Sequence, residues 1–203
     1  MAIRNLSWLL LLAAAGCAPT ILKPIEEDKT PAPAGTQVVS GADYRITLPK
    51  HWVVLDLKKL KKADIEKKLK DTRYEPAIGA VNTQREAGLV RFFAFVPELE
   101  YENLNGNLNL MVAPGGKLYD VIETTKKQVL KMDPKAKVLK DFSKKPDSVA
   151  FEFGMQEGRL RMFMMVAVVK TNQHILTLTV PAKADMKKAR EIARTSFEAL
   201  EGR

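Results

Sequence analysis

Cysteine and histidine are almost absent from this sequence. Its 203 residues include one cysteine, Cys17, and two histidines, His51 and His174. A single thiol excludes an intramolecular disulfide, and the two histidines lack the paired spacing that is typical of zinc sites. We therefore predict no metal site and no cofactor, and we interpret both histidines as ordinary polar or structural residues.

Motifs that carry catalysis are also missing. The sequence contains no Gly-x-Ser-x-Gly elbow, no glycine-rich phosphate loop and no zinc-protease helix motif. Pro114-Gly115-Gly116 indicates a connector before a helix, with anion binding at the helix N-terminus as the alternative. We predict no catalytic residue and hence no enzyme. A hydrolase with widely scattered residues is the weakest of the functions considered.

Acidic residues are outnumbered by basic ones. The formal net charge of +9 predicts an anionic neighbour. Nucleic-acid binding uses clustered arginines with stacking aromatic residues, a pattern that this sequence lacks, so no nucleic-acid partner is expected. An exported protein would meet anionic lipid headgroups and envelope polymers instead.

The N-terminus has the organisation of a secretory signal. Arg4 precedes a short apolar run from Trp8 to Ala15, which is too short to span a bilayer. The following Ala14-Ala15-Gly16-Cys17 resembles the lipobox of bacterial lipoproteins, in which the cysteine thiol receives a diacylglycerol. This resemblance implies a signal peptide over residues 1–16 and lipidation of Cys17. Ala14 stands where lipoboxes most often have leucine, so ordinary signal cleavage after the alanines is the alternative.

Two further expectations follow from this resemblance. Lipoproteins of enteric type that stay in the inner membrane carry an aspartate after the cysteine, whereas this chain has Ala18. The likeness therefore implies a location in the cell envelope, anchored by lipid to the outer membrane and facing the periplasm. The proline-rich residues 17–40 are predicted to be a lipidated N-terminus and tether, and residues 41–203 a single domain.

Hydrophobic periodicity predicts an α+β fold. Short alternating segments joined by turns indicate an antiparallel sheet, and the strand at 162–169 is apolar on both faces. Helices must then cover both faces of the sheet, which gives an α/β/α sandwich. The predicted strands are 44–49, 51–55, 89–96 (ended by Pro97), 107–112, 149–155, 162–169 and 175–180, and the predicted helices are 56–71, 118–132 and 186–200.

Two short motifs carry a family resemblance. The run from Tyr44 to Trp52, YRITLPKHW, and the Thr195-Ser196-Phe197 of the last helix are similar to the corresponding parts of PsbP-like and Mog-like domains, including those of DcrB-type bacterial lipoproteins. The resemblance implies a compact PsbP-like α/β/α sandwich that serves in binding, assembly or chaperoning. It brings no shared catalytic site.

The predicted helix at 56–71 is unusually rich in lysine. Its polar face is almost entirely cationic and predicts binding to an anionic surface, although a solvated helix face explains the same pattern. The candidate residues are Lys58, Lys59, Lys61, Lys62, Lys67 and Lys68.

Methionine and asparagine each form a cluster. Met155, Met162, Met164 and Met165 are predicted core residues rather than soft-metal ligands, with Met165 on the opposite sheet face from the others. Asparagine occupies every second position over 103–109. This alternation favours a solvated sheet face with a turn, and carbohydrate hydrogen bonding is the alternative.

These observations converge on a non-catalytic, lipid-anchored envelope protein that binds or helps to assemble an envelope component. Its expected partners are the membrane, through the N-terminal lipid, and an envelope protein or anionic lipid. The alternative function is a carrier of a lipid or other apolar ligand in a groove between sheet and helix.

Overall fold

The chain folds into two antiparallel sheets and four α-helices. The computed structural model describes residues 32–115, 117–139, 142, 145, 147–169 and 172–202. A seven-stranded sheet has the order β3-β4-β5-β9-β8-β7-β6, and a small sheet has the order β1-β2-β10. The strands are β1 Thr36–Ser40, β2 Tyr44–Pro49, β3 Val53–Asp56, β4 Val90–Tyr101, β5 Leu104–Pro114, β6 Lys137–Val138, β7 Ser148–Met155, β8 Leu160–Val169, β9 Asn172–Pro181 and β10 Leu200–Gly202.

The helices lie on both faces of the seven-stranded sheet. They are α1 Lys62–Leu69, α2 Ile78–Ala87 (preceded by a 3-10 turn, Glu75–Ala77), α3 Leu118–Met132 and α4 Met186–Ala199. We call the face covered by α4 and the small sheet the closed face, and the face covered by α1, α2 and α3 the three-helix face. The predicted α+β class, an antiparallel sheet with helices on both sides, is confirmed.

The last two helices follow directly from their sequences. The Asp185 carboxylate caps α4 by accepting hydrogen bonds from the backbone N–H groups of Lys187 and Lys188, at 2.9 and 3.0 Å. Ala189, Ala193 and Phe197 then recur at helical spacing and are fully buried. Helix α3 ends where predicted, before Asp133-Pro134.

Several boundaries differ from the prediction. Strand β1 lies within the predicted tether, and it pairs with β2 from Thr36↔Pro49 to Ser40↔Arg45, so the sheet begins before residue 41. Strand β4 continues past Pro97, where a register shift between Val96 and Tyr101 accommodates the missing N–H. The lysine-rich helix is shorter than 56–71. Helix α2 and strands β1, β6 and β10 were not predicted.

The methionine cluster belongs to the core, as predicted. Met162, Met164 and Met165 are buried, and Met155 packs against the core of the three-helix face. Met162 and Met164 lie on the three-helix face, whereas Met165 lies on the closed face. Thioether side chains here fill space among aromatic and aliphatic neighbours.

Candidate functional site

The predicted lipidation site, Cys17, lies outside the described residues, as do the signal peptide and the tether up to residue 31. The described chain reaches its first strand at Thr36. Gln37 in β1 donates its side-chain N–H to the carbonyl oxygens of Pro49 and Trp52, at 2.9 Å each. These bonds fix the entry of the chain beside the turn between β2 and β3.

The lysine-rich segment divides into a turn and a short helix. The Asp56 carboxylate accepts the backbone N–H groups of Lys58 and Lys59 at 3.0 and 3.2 Å, which forms a turn and delays the helix to Lys62. The Lys58 ammonium donates to the Gly88 carbonyl at 2.7 Å, and partial burial lowers its pKa. Lys58 is exposed, and this backbone contact holds its ammonium group in place.

The remaining lysines of the candidate set are exposed as well. Lys61, Lys62, Lys67 and Lys68 are exposed, while Ile65 and Leu69 of α1 are completely buried and fix the helix to the sheet. Lys59 is also exposed, with its ammonium 3.9 Å from an Asp56 carboxylate oxygen. We call the four exposed residues Lys61, Lys62, Lys67 and Lys68 the lysine surface.

His51 contacts a carboxylate that sequence reasoning missed. The Trp52 indole N–H is shared between both oxygens of Glu98, each 3.1 Å away, and His51 Nε2 lies 2.7 Å from Glu98 Oε1. Burial opposes ionisation of Glu98, but hydrogen bonds from Trp52, its own backbone and His51 outweigh it and lower the pKa of this carboxyl. The cluster ties the turn after β2 to the bulged part of β4. This contact agrees with the interpretation of His51 as a structural residue.

His174 is a buried structural histidine. It is 1% exposed, and its Nε2–H donates to the backbone carbonyl of Asp43 at 2.9 Å. The Asp43 carboxylate lies 3.5 Å from an Arg91 guanidinium nitrogen. Burial lowers the pKa of His174, and the Arg91 charge acts in the same direction. This cluster joins the start of β2 to β4 and β9. Asp43 and His174 are 131 positions apart, so no local sequence pattern predicts their contact.

The asparagine row is split by the structure. Asn103 adopts a positive φ of 64° in the turn before β5, whereas Asn105, Asn107 and Asn109 lie within β5. Asn109 is 2% exposed and accepts a 2.6 Å hydrogen bond from the Thr177 hydroxyl. The expectation of a solvated sheet face is therefore wrong for Asn109, because this part of the strand lies beneath the three-helix layer.

Among the described residues, no three His, Cys, Asp or Glu side chains come together in a way that would hold a metal ion. None of the helices in this part of the chain has the length and hydrophobicity for a bilayer crossing. Pro114 ends β5, and Gly116 of the predicted connector lies outside the described residues.

Comparison with known proteins gives only remote likenesses. No protein-family model matches the chain, and no curated protein does. The solution structure of cyanobacterial PsbP from Synechocystis sp. PCC 6803 is 11% identical, with a TM-score of 0.48 over 88% of this chain and 99% of that one. A variant of Mog1 is 11% identical, with a TM-score of 0.38 over 81% of this chain and 86% of that one.

A third structure comes from Bacteroides thetaiotaomicron VPI-5482. It is 14% identical, with a TM-score of 0.43, and the match covers 83% of this chain but only 48% of that one. The chain therefore spans about half the length of the Bacteroides protein. PsbP and Mog1 are proteins of the kinds that the sequence motifs resemble, but at these identities and TM-scores the likenesses carry no argument about what this chain binds.

Proposed function

We propose that this chain is a lipid-anchored protein of the cell envelope and that its α+β domain is a non-catalytic module for binding or assembling an envelope component. The observation that carries the proposal is the lipobox-like Ala14-Ala15-Gly16-Cys17 directly after an apolar run of signal length. A cysteine in this place becomes the acylated N-terminus of the mature chain. Two or three acyl chains hold a protein stably on a membrane, whereas one does not.

The position of the first strand fits this proposal. Residues 18–35 separate Cys17 from β1 and contain four prolines. Proline-rich chain extends by about 3.1 Å per residue, so a fully extended segment of this length would span roughly 50 Å. A tether of that length allows the domain to touch either the membrane surface or a partner above it.

The lysine surface supports an anionic contact for the domain. Lys62, Lys67 and Lys68 lie on one short helix whose apolar side is buried, and Lys61 directly precedes it. Among the described residues no ion pair links these four lysines to a carboxylate. Lysine is a flexible point charge that suits diffuse attraction to headgroups or envelope polymers. We propose that these residues hold the domain near an anionic envelope surface.

The anchor is tested by Cys17→Ser in cells fed an alkyne-labelled fatty acid. We expect the variant to leave the membrane fraction and to lose the label, while the control Thr20→Ser keeps both. Ala18→Asp should keep the label and move the protein to the inner membrane if the outer-membrane assignment is right. A Cys17→Ser protein that still carries label would refute the lipid anchor.

The lysine surface is tested on the unlipidated Cys17→Ser chain. Replacing Lys61, Lys62, Lys67 and Lys68 by glutamine should reduce binding to phosphatidylglycerol vesicles about tenfold or more at low salt, and by less as salt rises. The matched control replaces the same number of exposed lysines elsewhere: Lys126, Lys127, Lys187 and Lys188. Equal losses in both variants would mean that net charge, and not this surface, governs binding.

A further inference from the structure

Exposed apolar side chains gather where helix α3 ends and β6 begins. Leu130 and Met132, in the last turn of α3, are each 40% exposed, and Val138 of β6 is 44% exposed. Among the described residues, only Leu104 and Tyr119 are other large apolar side chains with comparable or greater exposure. We call Leu130, Met132 and Val138 the apolar patch. Single exposed apolar residues are ordinary on a protein surface, whereas three within residues 130–138 require a reason.

The inner side of α3 leaves Leu130 outside the core. Val121, Thr125 and Val129 are buried, and the two valines belong to the core of the three-helix face. A helix turns by about 100° per residue, so Leu130 lies well away from the side on which Val129 packs. Leu130 instead shares a side with the exposed Lys126, four residues earlier. Packing of α3 on the sheet therefore leaves Leu130 exposed.

The turn after α3 is fixed to the sheet. The Ala136 N–H donates to the Asp133 carbonyl at 2.9 Å, which closes a turn between α3 and β6. The Asp133 carboxylate accepts the backbone N–H groups of Lys135 and Gly154, at 2.9 and 2.7 Å. Because Gly154 belongs to β7, these bonds hold the end of α3 and the start of β6 at the same edge of the sheet.

Val138 lies on the same sheet face as α3. It pairs with Phe151 of β7, and directly paired residues of antiparallel strands share a face. Phe151 is buried in the core of the three-helix face, and α3 packs on the strand that carries it. β6 is the outermost strand, so Val138 lies on the three-helix face at the edge of the sheet. The apolar patch is therefore a feature of one edge of this face.

Lysines accompany the apolar patch. Residues 126–138 include one carboxylate, that of Asp133, which already accepts two backbone N–H groups. Four lysines of this stretch are exposed, and no ion pair within the described part of the chain links them to a carboxylate. These are Lys126, Lys127, Lys131 and Lys135. A fifth, Lys137, pairs with Glu152 and so belongs to the other face.

This composition fits a lipid surface better than a protein partner. Protein interfaces are depleted of lysine and enriched in arginine and aromatic residues, and residues 126–138 contain neither arginine nor an aromatic residue. At an anionic bilayer, apolar side chains enter the boundary between headgroups and acyl chains. Lysine stems lie along that boundary while their ammonium groups stay at the headgroups.

We propose that the apolar patch and its four lysines form a membrane contact that enters the surface of a bilayer rich in anionic phospholipid. Tyr119 lies about 16 Å away along α3, next to Asp120, so only the C-terminal end of the helix enters. α1, which carries the lysine surface, covers the same face of the sheet. The proposal does not depend on lipidation of Cys17 or on the lysine surface.

A fluorophore on the patch tests this proposal. Cys17 is the single cysteine, so the full chain with Cys17→Ser and Leu130→Cys takes one nitrobenzoxadiazole label. On phosphatidylglycerol vesicles we expect its emission to rise and shift to shorter wavelength, because the probe leaves water for lipid. Phosphatidylcholine vesicles, which lack net charge, should cause a much smaller shift. The matched control carries the label at Leu104→Cys, an exposed leucine outside the patch, and should not shift.

Unlabelled variants measure the affinity. In the Cys17→Ser chain, Leu130→Ser with Met132→Ser should weaken binding to phosphatidylglycerol vesicles about fivefold or more, because two apolar side chains no longer enter the lipid. The control Leu104→Ser with Tyr119→Ser replaces two exposed apolar side chains elsewhere and should change the binding less than about twofold. Sedimentation with the vesicles measures both. All four positions are exposed, so both variants should fold.

Three results would overturn the membrane contact. One is a label at position 130 that does not shift on phosphatidylglycerol vesicles, and another is an equal shift at positions 130 and 104. The third is an equal loss of binding in the two double variants. Replacing the lysine surface by glutamine separates the two proposed contacts: at saturating vesicle concentration the label at position 130 must still shift, and a lost shift would show that the patch has no affinity of its own.

Discussion

The two faces of the seven-stranded sheet are built from the same strands but differ in the side chains at their centre. On the closed face, β5 and β9 present Leu108, Leu110, Leu176 and Leu178, all fully buried beneath α4 and the small sheet. On the three-helix face the alternate positions of these two strands are asparagine and threonine. The closed face therefore buries apolar side chains at its centre, whereas the three-helix face has hydrogen-bonding groups there.

The difference affects how much each face contributes to stability at the centre of the sheet. Burial of a leucine side chain contributes about 1.5–3 kcal/mol, and a centre made of leucine on both faces would be the simpler core. Polar residues at the centre of a sheet face are costly unless they are paired, and the Thr177 hydroxyl and the Asn109 amide oxygen are paired at 2.6 Å. Both faces carry a large apolar core, and at β5 and β9 the closed face is apolar where the three-helix face holds a polar pair.

The largest expected effect comes from the closed face. Leu110→Ala should lower the free energy of unfolding by about 2–5 kcal/mol, because it leaves a cavity in a fully buried layer. Urea denaturation followed by circular dichroism measures this loss. The control Leu104→Ala removes a leucine that is 52% exposed and should cost much less. Similar losses for both variants would contradict the difference between buried and exposed positions.

A smaller effect is expected when the polar pair of the three-helix face is broken. Thr177→Val should cost about 1–3 kcal/mol, because the buried Asn109 amide loses its partner. Adding Asn109→Leu should recover part of that loss, since no polar group then remains unpaired at this row. A double-mutant cycle from denaturant curves measures the coupling. Strictly additive losses would mean that the two side chains do not depend on each other.

The smallest effect is the pH dependence at the end of the closed face, where His174, Asp43 and Arg91 meet. Burial lowers the pKa of His174, so below about pH 6.5 the unfolded chain binds a proton that the folded chain does not. Stability should be complete above pH 6.5 and fall on acidification, with a slope of at most about 1.4 kcal/mol per pH unit for this group.

The His174→Gln variant isolates this contribution. Glutamine can donate to the Asp43 carbonyl but does not titrate, so the slope between pH 7 and pH 5 should flatten. Urea midpoints measured across that range test the expectation. An unchanged slope in the variant would assign the pH dependence to other groups.

Local pattern predicted much of this fold because much of it is locally determined. Alternation identified β7, an apolar run identified β8, and the segment after the following turn identified β9. The Asp185 cap with its apolar stripe identified α4. Helix α2 was not predicted, because its buried side contains Asn82 beside Val81 and this asparagine interrupts the apolar periodicity. Strand β10 has three residues and exists through its pairing with β2, which no neighbouring residue signals.

The contacts of the candidate site residues are less accessible to local sequence patterns. The lysines were found by composition, but the contact between the Lys58 ammonium and the Gly88 carbonyl joins residues 30 positions apart, and no local pattern predicts it. The alternation of asparagines was visible in the sequence, whereas the burial of Asn109 was not. Whether a strand face is solvated depends on which helices return over it, and those helices are supplied by distant parts of the chain.

The small sheet has a consequence for the order in which the chain can fold. β2 is the central strand of this sheet, and its Ile46 pairs with Leu200 of β10, at the opposite end of the folded region. During synthesis β1 and β2 are made early. One edge of β2 stays unpaired until α4 and the strand after it, β10, have been made. Contacts between such distant residues form late and slowly. The closed face is therefore complete only after β10 has paired with β2.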